Sequence, residues 1–94
     1  MAIFMIERTF AEKIQEDPEA AAQLNLINDE EGVRWIISFL SADRKRTFCL
    51  YEAPNAEAII AAARRAGAPV DAVIEVREEM LPTGKINRIR ADKY

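Results

Sequence analysis

Along the chain, apolar positions change period several times, and each change marks an element. Residues 3–10 (IFMIERTF) are β-branched and aromatic with charges near the end, which predicts a strand. After a connection at 11–16, Asp17-Pro18 opens a helix, because Asp caps and Pro suits the first helical position. The helix runs over 18–28, with Ala22, Leu24 and Ile27 pointing inward, and stops in the acidic loop Asp29-Glu30-Glu31-Gly32. Residues 33–41 (VRWIISFLS) and 45–52 (KRTFCLYE) are rich in β-formers, and the polar turn 42–44 joins them as a hairpin. Asn55 caps a second helix whose apolar face is Ile59, Ile60, Ala63 and Ala66 and whose end is set by Gly67. Residues 70–77 (VDAVIEVR) alternate as a fourth strand, and Pro82 and Gly84 mark a turn before a polar tail.

The order is therefore β-α-β-β-α-β. This is the split βαβ pattern of a ferredoxin-like α+β sandwich, with two helices on one face of a four-stranded antiparallel sheet. In such a sheet the first strand is central and pairs with the third and fourth. Strict alternation along the second strand puts Trp35, Ile37 and Phe39 on one face and Arg34, Ile36, Ser38 and Leu40 on the other. In the third strand Phe48 and Leu50 oppose Thr47, Cys49 and Tyr51. Both faces of the hairpin carry apolar side chains, so the face without helices is expected to be buried in a homodimer.

Ninety-four residues allow one small domain, read as 1–82 with a basic C-terminal tail at 83–94. The chain has no His, which excludes a His-based triad, an HExxH zinc site and haem ligation by His. One Cys excludes an internal disulfide, and neither standard nucleotide-binding glycine loop is present. Net charge is −3, which argues against nucleic acid as a partner. Lys85, Arg88, Arg90 and Lys93 against Asp92 place +3 in the tail and leave −6 on the body. The start MAIFMIERTF lacks a cationic leader and no apolar run is long enough to span a membrane, so a cytoplasmic setting with a reduced thiol is expected.

The hairpin string Gly32-Val33-Arg34-Trp35, Ser38, then Ser41 through Cys49-Leu50-Tyr51-Glu52-Ala53-Pro54, carries a resemblance. So do Glu7-Arg8-Thr9-Phe10, Glu57 and Ala66-Gly67-Ala68-Pro69 before Glu75-Val76. Over roughly residues 3–77 the chain resembles a small bacterial family of stand-alone ferredoxin-like proteins, named after a nickel-binding, nickel-responsive representative. The resemblance implies the ferredoxin-like fold, a homodimer and binding of nickel or another divalent metal. Nickel suits imidazole and carboxylate ligands, and without imidazole the donors here are carboxylates and one thiol. Glu7, Glu52 and Glu75, which the central first strand can bring near one another unless alternation puts them on different faces, are the candidate metal ligands. The plain alternative is that each pairs with Arg8, Arg34 or Arg77.

A noncatalytic binding protein is the first expectation. The second is a small-molecule-binding dimer or a cofactor-free enzyme, in which Trp35, Ser38, Cys49 and Tyr51 line a pocket and a Glu supplies the only general base. Cys49 lacks a His to activate it, so it also fits as a small core residue. Leu81-Pro82-Thr83-Gly84-Lys85-Ile86-Asn87-Arg88 is similar to the C-terminal Gly-Lys motif of acyl-adenylating enzymes, but the large domain those enzymes require has no counterpart in 94 residues.

Overall fold

The computed structural model describes all 94 residues. Strand β1 (Ala2–Thr9), helix α1 (Pro18–Glu30), the hairpin β2 (Arg34–Leu40) and β3 (Arg46–Ala53), helix α2 (Ala56–Ala66) and strand β4 (Ala72–Val76) follow in chain order. The four strands form one sheet in the order β2-β3-β1-β4, and β1 pairs antiparallel with both β3 and β4. This is the ferredoxin-like α+β architecture.

Local chemistry sets the helix ends. The Asp17 carboxylate accepts from the Ala20 amide, Pro18 occupies the first turn, and Asn55 caps α2 in the same way through Ala58. Gly67 closes α2 at φ 67°, the left-handed conformation that a residue without Cβ adopts at no steric cost. Helix α1 runs two residues past the expected Asn28, through the acidic Asp29 and Glu30, and its inward side is Ala21, Leu24, Ile27 and Asn28. The expected Ala22 faces solvent. Likewise α2 buries Ile59, Ala62 and Ala63, while Ile60 and Ala66 are exposed.

The core lies between α2 and the sheet. Phe4 and Ile6 of β1, Cys49, Tyr51 and Ala53 of β3, and Ile59 of α2 pack together with Val33. Phe4, Ile6 and Arg8 share one phase of β1 and face the helices, while Ile3, Met5 and Glu7 face the open side.

One expectation is corrected here. Between Trp35 and Ile37 the β2–β3 register shifts by one residue, so Ile36 is extra and the alternation restarts. Trp35 is opposite Tyr51, Ser38 opposite Cys49 and Leu40 opposite Thr47, all on the helix side, whereas Ile37 and Phe39 face the open side. The grouping of Trp35 with Ile37 and Phe39 therefore fails, because a bulge reverses the phase that alternation assumes. The residues that follow β4 are also structured. Strands β5 (Glu78–Met80) and β6 (Ile86–Arg88) form a separate hairpin, followed by one turn of 3-10 helix at Ala91–Lys93. The turn expected at Pro82 and Gly84 is the tip of this hairpin, where Gly84 takes φ 87°.

Candidate functional site

Between α1 and the helix side of the sheet lies a cavity of about 550 Å³, within the range of small-molecule sites. Its floor comes from three strands: Arg8 of β1, Trp35 and Ser38 of β2, and Thr47, Cys49 and Tyr51 of β3. Its roof is the apolar stripe of α1, Leu24 and Ile27 with Ala20 and Ala21. The β1–α1 connection closes one end with Phe10 and Ile14. That connection is held against the β2–β3 turn by the Phe10 amide on the Lys45 carbonyl at 2.8 Å and the Ile14 amide on the Arg44 carbonyl at 2.9 Å.

The bulge at Ile36 makes this floor. By restarting the alternation it brings Trp35 onto the same side as Ser38 and Leu40. The Trp35 ring then stacks on Tyr51, with centroids 6.4 Å apart and planes 9° from parallel. Trp35 Nε1 donates to Ser38 Oγ at 2.8 Å, and Ser38 Oγ donates to Cys49 Sγ at 2.8 Å. The thiol is thus the end of a short donor chain, buried at the back of the cavity. Burial pushes the Tyr51 hydroxyl above its ordinary 10.0, against the opposing pull of the Arg8 charge. At neutral pH it is a phenol. The four residues anticipated as pocket-lining, Trp35, Ser38, Cys49 and Tyr51, all border one cavity.

Arg8 is only 6% exposed, and its Nη1 donates to the Pro69 carbonyl at 2.7 Å. Its guanidinium lies 5.8 Å from the Tyr51 ring centre. Thr47, directly opposite Arg8 in the β1–β3 register, has a buried hydroxyl with no partner. Sequence reasoning passed over both residues in this role. The signal was present: Arg8 continues the buried phase Phe4, Ile6, where a charged side chain is out of place.

The three carboxylates expected to bind metal do not converge. Glu7 and Glu52 face the open side four residue steps apart along β1, about 13 Å. Glu75 is opposite Phe4 and so projects to the helix side. Each has an arginine: Glu7 with Arg46 at 3.5 Å, Glu52 with Arg34 at 3.2 Å and Glu75 with Arg77 at 2.8 Å. Glu52 and Glu75 do border a second cleft of about 390 Å³, beside Arg77 and Arg88. No three His, Cys, Asp or Glu side chains gather anywhere in the chain as a metal would require. Imidazole is lacking, each of the three glutamates is paired with an arginine and the thiol is bonded to Ser38, so no preassembled nickel site is present. No glutamate borders the larger cavity either, so the general base expected for a cofactor-free enzyme is not at that site. Asp17 lines it, but caps α1. Lys85 of the Gly-Lys turn sits at the β5–β6 tip and lines neither cavity.

Fold and cavity together define a small ferredoxin-like α+β domain that leaves an apolar chamber under its first helix. Residues 4–76 match the family described as nickel responsive protein SCO4226-like, and the chain belongs to that family. Its structure is similar to the crystal structure of SCO4226 from Streptomyces coelicolor A3(2), with a TM-score of 0.68 and 30% sequence identity, covering 80% of this chain and 95% of that one. No curated protein matches. Residues 77–94, which carry the second hairpin, lie outside the family match. No helix is long and apolar enough to cross a membrane.

Proposed function

We propose that this protein is a noncatalytic ligand-binding protein, and that its site is the chamber between α1 and the sheet, taking a small, largely apolar molecule. The observation that carries this is the cavity itself. It is about 550 Å³, walled by Leu24, Ile27, Leu40 and Trp35, with a few polar groups converging from the floor. A purely structural core at this position would be filled by side chains, since protein interiors pack to near-crystalline density. The ligand site is proposed within the cytoplasm, where a free thiol such as Cys49 stays reduced.

The test uses 2-naphthalenemethanol and 2-naphthoate as calorimetric probes, with the variant Ala21→Phe to plug the roof. Saturable binding of either probe to the wild type, lost in Ala21→Phe, supports the chamber as the site. Binding undiminished by the plug, or none of either probe, overturns it.

The family name favours a second reading, in which nickel is the ligand. Glu52 and Glu75 beside their cleft are the residues that would serve, each at the expense of its arginine pair. A nickel titration of untagged protein, repeated on Glu52→Gln, decides it. Micromolar binding weakened severalfold by the substitution supports nickel, and absence of binding ends that reading.

A second copy of the chain is proposed to cover the open face. Phe39 on edge strand β2 and Ile74 on edge strand β4 are each 47% exposed there, flanking Met5, Ile37 and Phe48. An exposed apolar face of this kind suits a two-fold interface.

A further inference from the structure

We propose that the chamber selects an organic monoanion, a carboxylic acid with an apolar body, and that Arg8 and Thr47 receive its carboxylate; this rests on the chamber being the ligand site. A guanidinium presents five N–H donors and a fixed positive charge. At Arg8 the protein meets that charge with neutral partners alone, the Pro69 carbonyl at 2.7 Å and the Tyr51 phenol, and the side chain is 6% exposed. Every ion pair in the molecule involves another cation: Arg34, Arg46, Arg65, Arg77, Arg90 or Lys93. A charge withdrawn from water without a counter-ion is expensive, and the expense is offset only when an anion arrives.

The second observation is independent. Thr47 Oγ1 is buried without a partner, on the residue paired with Arg8 across β1 and β3. Residues opposite one another in an antiparallel pair project to the same side with Cβ atoms about 5 Å apart. One carboxylate can therefore take two parallel bonds from the guanidinium and a third from the hydroxyl. The phenol of Tyr51 flanks the same spot, under the Arg8 charge.

The charge of the ligand follows from the lining. Arg8 is the sole cation bordering the chamber, and Asp17 stands on its rim. One negative charge is compensated there, while a phosphate dianion would meet one cation and a carboxylate. Most of the rest of the wall is apolar, Leu24, Ile27, Leu40 and Trp35 among it, and suits an apolar chain or ring.

The experiment compares 2-naphthoate with 2-naphthalenemethanol, nearly equal in shape, by calorimetry at neutral pH. The wild type is expected to bind the acid at least tenfold more tightly than the alcohol. Thr47→Val, which keeps the shape and removes only the hydroxyl, should weaken the acid severalfold and the alcohol by less, narrowing the preference. Arg8→Met should abolish the preference. Equal binding of the two probes by the wild type overturns the anion selectivity while leaving the chamber as a site. A preference that survives both substitutions overturns the roles of Arg8 and Thr47. An Arg8 that only props up the fold would weaken both probes alike, and the Thr47 variant and the wild-type comparison decide the matter even if Arg8→Met does not fold.

Discussion

Trp35 and Tyr51 stack across β2 and β3 at 6.4 Å, and they do so because a single bulged residue, Ile36, separates Trp35 from the rest of its strand. Trp35 is the only tryptophan, so its emission reports directly on the chamber. Replacing it with Leu removes the stack and the Nε1 donor to Ser38. We expect a loss of about 1–2 kcal/mol in stability, measured by denaturant unfolding followed by circular dichroism. Blue-shifted emission of the wild type on filling the chamber is the matching spectroscopic sign.

Ile6 is 0% exposed and sits at the centre of the sheet, opposite Cys49 on one side and Val73 on the other. Ile6→Ala leaves a cavity where rigid neighbours cannot close in. The expected cost is about 2–5 kcal/mol. In a domain of this size that lowers the melting temperature by at least about 8 °C, read in a thermal scan.

The alkaline limb of the stability curve should carry the signature of Tyr51. Burial raises its folded pKa above the ordinary 10.0, so the neutral phenol is favoured in the folded state. Its contribution is complete below pH 10 and is lost as pH rises through the higher folded value. Tyrosinate absorbance should therefore show a step above the ordinary range that is missing in Tyr51→Phe. The same variant should flatten the fall in melting temperature over that window.

Phe39 projects from the edge strand β2 on the open side, opposite Phe48. If a second copy covers this face, Phe39→Asp places a charge in the interface. Sedimentation velocity should then show a dimer for the wild type and a monomer for the variant, with unchanged circular dichroism. A wild type that sediments as a monomer at high micromolar concentration refutes the assembly.

Much of this architecture was legible in the chain. Asp17-Pro18, Asn55 and Gly67 punctuate the helices through local hydrogen bonding and backbone geometry, and those effects act within a few residues. The alternation of β1 and β3 and the order of elements specify the sheet and its central strand. Trp35, Ser38, Cys49 and Tyr51 could be named as a group from the hairpin alone. Their meeting on one floor could not, because the bulge at Ile36 is a compromise between two strands and has no signature in either one.

The carboxylates show the same limit from the other side. Glu7, Glu52 and Glu75 were equivalent as residue types, and only register places them four steps apart or on opposite faces, each beside an arginine. The tail shows it too: residues 83–88 are polar enough to pass for solvated coil, yet Ile86–Arg88 pairs with Glu78–Met80 around the Gly84 turn. What the sequence determined by itself is what short-range chemistry controls: helix ends, strand periods, the absence of imidazole and the class of fold. What the tertiary structure decided is which side chains share a space. The distance between α1 and the sheet opens the chamber, and the pairing of Arg8 with Thr47 gives it a charged floor, since both depend on contacts between residues tens of positions apart.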